Sequence, residues 1–222
     1  MAARILKDKS YTMKKGNRST KNARQGKQVY EFALQIAKHK PRRKQLVIEL
    51  LKYSAALGNS NASNALGVWY RDGIGVKKDS TKAFMFFKKA NKGGNPDAAM
   101  NLGYSYANGI GTRVDFAKSK ILYKIAADRG VVAAQSYLGS CYLSGLNSFV
   151  KSPNLAFLYF KKAAKAGDIE SIYGLGYCYE LGKGTKCNIS KALKYYKMAA
   201  NQGHAKAKKA TQQLRLGSSL KK

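Results

Sequence analysis

The sequence is poor in acidic residues, in histidine and in cysteine. The first shortage leaves a large positive charge, and the other two argue against histidine-based enzymes or metal proteins and against disulfide-stabilised proteins. Its 11 Asp and Glu residues stand against 42 Lys and Arg, so the formal net charge at neutral pH is +31. The two histidines, His39 and His204, lie far apart in the chain and supply neither an acid–base pair nor a metal cluster with near spacing. We therefore predict no catalytic residue, no metal, no cofactor and no enzymatic activity.

The number of cysteines and the length of the apolar runs indicate the cellular compartment in which the protein works. Three cysteines are an odd number and do not make a disulfide framework. Every apolar run is far shorter than the roughly 18 residues that a membrane span requires. We expect no transmembrane segment and an intracellular protein of a reducing compartment, in the cytoplasm, a virion or an organelle, that is not secreted.

The positive charge is concentrated toward the two ends of the chain. Residues 1–44 hold 14 basic and 2 acidic side chains (+12), residues 204–222 hold 6 and none (+6), and residues 45–203 hold 22 and 9 (+13). Such a charge favours a polyanion, either nucleic acid or an anionic membrane surface, although solubility alone would also explain it. The candidate polyanion-binding residues are Lys7, Lys9, Lys14, Lys15, Arg18, Lys21, Arg24, Lys27, Arg42, Arg43, Lys44, Lys206, Lys208 and Lys209.

The first 58 residues divide into a basic arm and a helix pair. Residues 1–28 are rich in Lys, Arg, Ser, Thr and Asn, and predict a flexible arm that cannot fold alone. Asp8 is its one acidic residue, and such an acid-poor basic segment leaves an organelle transit peptide possible. Apolar residues recur at helical spacing from Val29 until Pro41, and a second helix is predicted over 43–57. Residues 29–58 therefore form a degenerate leading helix pair.

The middle of the chain is a repeat. A Leu-Gly pair recurs with steps of 36, 36 and 37 residues, and such a fixed period is typical of a solenoid. Residues 60–203 divide into four repeats, each of two helices, over 60–94, 96–130, 132–167 and 169–203. A capping helix over 204–216 and a basic tail over 217–222 complete the chain.

Equivalent positions in the four repeats carry equivalent chemistry. Each first helix places an Ala or Ser, a Leu and a Tyr four residues apart on one face, as in Ala62, Leu66 and Tyr70. The glycine beside the Leu, such as Gly139, is unfavourable in a helix and predicts close helix approach. Each second helix follows an N-cap residue such as Asp79. Glycines end the second helices at Gly94, Gly130, Gly167 and Gly203.

These landmarks resemble the Sel1-like repeat. The pattern Ala-x3-Leu-Gly-x2-Tyr, then Gly-x-Gly, then Asp-x2-Lys-Ala with paired aromatics and a terminal Gly is clearest over residues 64–94. The resemblance implies an all-α, right-handed α-solenoid of helix-turn-helix repeats, related to tetratricopeptide arrays. It also implies an adaptor or scaffold that mediates protein–protein interactions, without naming the partner.

Two kinds of partner follow. A protein partner would contact first-helix residues that point away from the apolar stripe, although several could instead pack against the next repeat. These groove candidates are Asn64, Val68, Arg71, Met100, Tyr104, Tyr173 and Tyr177. Nucleic acid, with RNA favoured over DNA, would bind the two basic ends of the chain and the lysines of the second helices, such as Lys88, Lys89 and Lys92. It would place the adaptor in a ribonucleoprotein or viral particle. A peripheral adaptor on an anionic membrane and a direct RNA- or DNA-binding protein are the alternatives.

Overall fold

The computed structural model describes residues 18–219, and their regular structure is entirely α-helical. The predicted all-α class is confirmed for this part of the chain, while Lys7, Lys9, Lys14 and Lys15 of the predicted arm lie outside it. The helices are α1 (Arg18–His39), α2 (Lys44–Ala56), α3 (Ser60–Asp72), α4 (Ser80–Lys92), α5 (Pro96–Asn108), α6 (Phe116–Asp128), α7 (Val132–Ser144), α8 (Pro153–Lys165), α9 (Ile169–Leu181), α10 (Ile189–Asn201) and α11 (Ala205–Ser219).

Helix boundaries follow the predicted caps. The side chain of Asp79 accepts a hydrogen bond from the Lys82 amide at 2.9 Å and begins α4, and Ser152 and Asn188 begin α8 and α10 in the same way. Each glycine predicted to end a second helix has a left-handed φ, between +83° at Gly94 and +90° at Gly203. A residue with a Cβ resists that conformation, so glycine recurs there.

The first compact unit extends to Asp115 and contains α1–α5. Consecutive helices pack side by side, α1 on α2, α2 on α3, α3 on α4 and α4 on α5. Fully buried side chains such as Ile48, Leu66 and Phe87 form the core between them. An added Cβ at Gly67 would lie 2.5 Å from the Phe87 ring, so the absence of a side chain lets α3 and α4 approach closely.

The predicted arm boundary at residue 28 is wrong, because α1 begins at Arg18. The N-terminal half of α1 packs on the end of α2, where the Ser54 hydroxyl donates a 2.6 Å hydrogen bond to the Gly26 carbonyl. A Cβ at Gly26 would lie 3.2 Å from the Leu57 Cβ. Tertiary packing therefore orders a stretch whose composition is too polar to fold alone.

The second compact unit contains α6–α11. Its helices also pack consecutively, and α7 additionally contacts α9. Leu138, Phe160 and Tyr196 are buried between them. An added Cβ at Gly139 would lie 2.5 Å from the Phe160 ring, and Gly176 has the same relation to Tyr196.

The end of the chain also departs from prediction. The capping helix was expected to stop at residue 216 and give way to a basic tail from 217, but α11 continues to Ser219. A single glycine at 217 costs a helix only about 1 kcal/mol relative to alanine, which does not end it. Residues 220–222 lie outside the described part.

Candidate functional site

In the first unit, Asn101 joins two of the predicted groove residues. Its side-chain amide donates to Asn64 Oδ1 at 3.0 Å, and its Oδ1 accepts from Arg71 Nη1 at 3.3 Å. Asn101 is buried and was absent from the predicted groove. A signal existed, because Asn101 is polar where the equivalent position of the preceding repeat holds Ala65.

Arg71 is held by a second contact, with the neighbouring carboxylate. Its Nε and Nη2 donate to the two oxygens of Asp72 at 2.7 and 2.9 Å. That hydrogen bonding raises the pKa of Arg71 and lowers the pKa of Asp72. The guanidinium is therefore oriented before any partner arrives. Of the other groove candidates in this unit, Tyr104 is 48% exposed, whereas Val68 and Met100 are half-buried.

In the second unit, Tyr173 and Tyr177 line one cavity of about 350 Å³. They lie one turn apart on α9, so they share a face. Gly174 lies between them, and an added Cβ there would come within 3.0 Å of the Phe160 ring. The backbone of α9 thus rests on that ring, which leaves space beside the two tyrosines. The other lining residues are Ser140, Leu143, Ser144, Glu170 and Lys183.

The cavity lining combines apolar and aromatic side chains with two serine hydroxyls, one acid and one base. Glu170 and Lys183 both line it, and Lys183 is half-buried. Burial, followed by the neighbouring Glu180, raises the pKa of Tyr173 above its ordinary value. Its hydroxyl therefore stays protonated at neutral pH and can donate a hydrogen bond. The arrangement suits an amphipathic ligand group.

His204 holds one edge of this region in place. Its Nδ1 accepts a 3.0 Å hydrogen bond from the Ala207 amide and thereby caps α11. Its Nε2 lies 3.1 Å from Glu170 Oε1, and its ring stacks on Tyr173 with centroids 4.5 Å apart. With Nδ1 accepting, Nε2 carries the proton that faces Glu170. The histidine has a structural part in positioning the tyrosine.

The cysteines occupy packing positions and a loop. Cys141 and Cys178 are buried, and burial raises the pKa of the Cys178 thiol to about 11. Cys187 is exposed, and its thiol contacts the Glu180 carbonyl at 3.1 Å. Within residues 18–219, no group of His, Cys, Asp or Glu side chains is placed to hold a metal ion. No helix in the same range is both long and apolar enough to cross a bilayer.

The predicted polyanion residues fall into separate clusters. Lys21, Arg24 and Lys27 are exposed on the N-terminal half of α1. The side chains of residues 42–44 are exposed beyond the other end of that helix. About 22 Å of helix separates Arg24 from His39, at 1.5 Å per residue. Lys206, Lys208 and Lys209 are exposed on α11 of the second unit. The described cations do not make one continuous site within the first unit.

The groove candidates likewise divide between the units. Asn64 and Arg71 are brought together through Asn101 in the first unit, and Tyr173 and Tyr177 share the cavity of the second. Each set is a local feature of its own unit. The tyrosine pair is the better defined, because a cavity lies beside it.

Comparison with known proteins identifies the repeats. The model of the Sel1 repeat matches residues 60–95, 96–131, 132–168 and 169–204. These ranges agree with the predicted repeats to within one residue at each end. A Sel1 repeat protein of Oxalobacter formigenes is 29% identical, with a TM-score of 0.72 over 77% of this chain and 50% of that one. The predicted solenoid class is thereby confirmed.

Other similarities are more limited. A protective antigen of uropathogenic Escherichia coli that displays an SLR fold is 24% identical, with a TM-score of 0.78 over 84% of this chain and 40% of that one, and shows the fold alone. Rat DAP3-binding cell death enhancer 1 is 41% identical over 63 residues, which are 27% of this chain and 12% of the relative. Protein SHC1 of Saccharomyces cerevisiae is 44% identical over 52 residues, 23% of this chain and 10% of the relative. The chain thus spans about a tenth of the curated relatives it matches.

Proposed function

Because this chain belongs to the Sel1 repeat family, we propose that it is a non-enzymatic adaptor that binds protein partners through the exposed residues of its first helices. A repeat array offers an extended surface built from equivalent positions, which suits partner binding. One relative, DAP3-binding cell death enhancer 1, is named for binding another protein, although the similarity covers only a short segment. That name supports an adaptor role without assigning the same partner.

The cavity beside Tyr173 and Tyr177 carries this proposal. Tyrosine buries a large apolar ring while its hydroxyl remains able to form a hydrogen bond, and it is enriched where protein interfaces are strongest. Leu143 adds an apolar wall, and Lys183 and Glu170 add one charge of each sign. An apolar or aromatic side chain of a partner, flanked by a polar group, fits this combination.

Peptide selection tests the adaptor proposal. A random peptide library is panned against the immobilised full-length protein, and the dissociation constants of the selected peptides are measured by fluorescence anisotropy. We expect Tyr177→Ala to weaken binding about tenfold or more, a loss of about 1.4 kcal/mol, because it removes a wall of the cavity. Leu158→Ala is the matched control, since Leu158 is an exposed apolar residue on the second helix α8. Equal effects of the two substitutions, or no selected peptide, would argue against the cavity as the partner site.

The second kind of partner that we propose is nucleic acid, with RNA favoured over DNA. The adaptor would then work in a nucleic-acid-rich assembly, such as a ribonucleoprotein or a viral particle. The net charge of +31 and the exposure of every described candidate cation whose side chain is placed support an electrostatic partner. The basic N-terminal segment adds to this charge. Attachment to an anionic membrane and direct RNA or DNA binding are the competing proposals.

Co-purification distinguishes these partners. The protein is isolated at about 0.1 M salt, with and without nuclease treatment, and the bound material is analysed for RNA, DNA and phospholipid. We expect RNA that nuclease removes. Phospholipid retained after nuclease treatment would favour the membrane alternative. The free cysteines agree with the reducing compartment proposed for this assembly.

A further inference from the structure

The turn between α1 and α2 gathers basic side chains without any acid. Its seven residues, 38–44, read KHKPRRK and are all exposed. The Arg43 amide donates to the Lys40 carbonyl at 2.9 Å, so the chain reverses within a compact turn. Among the described residues, no carboxylate lies within ion-pair distance of these five cations. Their charges are therefore available to a ligand.

A second segment of the chain joins this turn. Gly75, in the loop after α3, has a left-handed φ of +66°, and an added Cβ there would lie 2.8 Å from the Lys44 Cβ. The loop thus lies directly against the start of α2. Lys77 is exposed and follows Gly75 by two residues, so its Cα lies no more than about 7 Å from that of Gly75. The fold adds a cation that is 33 residues away from Lys44 in the sequence.

The start of α2 adds to the positive potential. Arg43 occupies its N-cap without a side-chain hydrogen bond, and the first turn contains no acidic residue. By contrast, Asn59 and Asn95 cap α3 and α5 with their side chains. The first amides of α2 therefore keep their donors and the partial positive charge of a helix N-terminus beside the basic turn.

We infer that this surface, formed by Lys40, Arg42, Arg43, Lys44 and Lys77 and termed the basic turn, binds the phosphate backbone of a nucleic acid strand. The inference rests on the nucleic-acid partner proposed above and names the folded part of its site. Arginine and lysine contacts to phosphate release counterions and give affinity without sequence preference. No large exposed apolar side chain lies within residues 38–45 or 74–79, and membrane-surface helices need such groups to insert. A phosphate backbone therefore fits better than a lipid surface.

The basic turn is distinct from the N-terminal arm. Lys21, Arg24 and Lys27 lie on the N-terminal half of α1, about 18–27 Å along the helix from His39. The sequence alone predicts a polyanion site at the basic run of residues 42–44. That Lys77 lies beside this run follows only from the contact between Gly75 and Lys44. The basic turn should consequently retain binding when residues 1–17 are removed.

A charge-matched comparison tests this inference on the full-length chain. The first variant carries Arg42→Gln, Arg43→Gln and Lys44→Gln, and a second adds Lys77→Gln. The control carries Lys88→Gln, Lys89→Gln and Lys92→Gln, which removes three exposed charges from α4 of the same unit. Binding to a fluorescein-labelled 20-nucleotide poly(U) strand is titrated at several salt concentrations. Melting temperatures verify that all variants are folded.

We expect the triple substitution in the turn to flatten the slope of log affinity against log salt by about 2, at about 0.7 per lost contact with a single strand. This change corresponds to roughly 100-fold weaker binding at 0.1 M salt. Lys77→Gln should lower the slope by about 0.7 more, and the α4 control should change it by less than about 0.5. That pattern would support the basic turn as a local phosphate site.

Four results would overturn the inference. Equal losses in the turn and α4 variants would show that net charge alone sets the affinity. Unchanged binding of the turn variant to poly(U) would place the site elsewhere while leaving nucleic acid as a partner. In a parallel titration with phosphatidylserine-containing vesicles, a loss confined to vesicle binding would assign the turn to lipid. If the unaltered protein does not bind poly(U) even at about 0.05 M salt, the proposed nucleic-acid partner fails together with this inference, whereas the adaptor proposal is judged separately by peptide selection.

Discussion

Close packing at Gly139 should make the effect of an added methyl group depend on the ring opposite. An alanine Cβ at this position would lie 2.5 Å from Cδ1 and 2.6 Å from Cε1 of Phe160, whereas carbon atoms in contact prefer about 3.5–4.0 Å. The ring must therefore move by about 1 Å. Since Phe160 is only 3% exposed, it cannot move without disturbing the core.

The two energies involved have opposite signs. Overpacking costs about 1–3 kcal/mol, while alanine improves helix propensity over glycine by about 1 kcal/mol. We expect Gly139→Ala to lower the free energy of unfolding by about 1 kcal/mol, which corresponds to about 2–4 °C in melting temperature for a chain of this size. In a Phe160→Leu background the ring is absent, and the same substitution should stabilise by up to about 1 kcal/mol.

A double-mutant cycle measures this reversal. Thermal and urea unfolding of the unaltered chain, both single variants and the double variant should give a favourable coupling energy of about 1–3 kcal/mol. Ser140→Ala is the control, because Ser140 is exposed on the same helix and its replacement adds no atom against the Phe160 ring. If the effects of Gly139→Ala and Phe160→Leu add to within about 0.5 kcal/mol, the contact seen at this glycine does not constrain the helix pair.

Three further predictions concern a cap, the thiols and the N-terminal boundary. Val131 begins α7 without a side-chain cap, so Val131→Asn should raise the free energy of unfolding by about 1 kcal/mol, and an unchanged melting temperature would contradict this. In iodoacetamide labelling at pH 8 followed by mass spectrometry, Cys187 should react promptly and Cys178 only after denaturation, because Cys178 is buried with a pKa of about 11; comparable rates would refute the assignment. Deleting residues 1–17 should leave the melting temperature unchanged, whereas deleting 1–28 should lower it by removing part of α1.

Much of the fold could be predicted because its determinants are local. The 36-residue period, the N-cap at Asp79 and the left-handed glycine at Gly94 each act within one helix or turn. Such features can be recognised in a single sequence, because each residue type favours a backbone conformation at its own position. The close approach at Gly139 was also predictable, because a glycine repeated inside a helix requires a compensating contact.

Only the tertiary structure decided where α1 begins and how the candidate sites are assembled. The hydrogen bond from Ser54 to Gly26 joins residues 28 apart, and the contact of Gly75 with Lys44 joins residues 31 apart, a spacing that recurs in the contacts of Gly111 with Ser80 and of Gly184 with Pro153. Asn101 contacts the predicted groove residue Asn64 through a side-chain hydrogen bond that joins residues 37 apart. These contacts depend on which helix faces are brought together when the apolar stripes are buried. Local propensity therefore determined the helices of this protein, and packing between distant segments determined its surfaces.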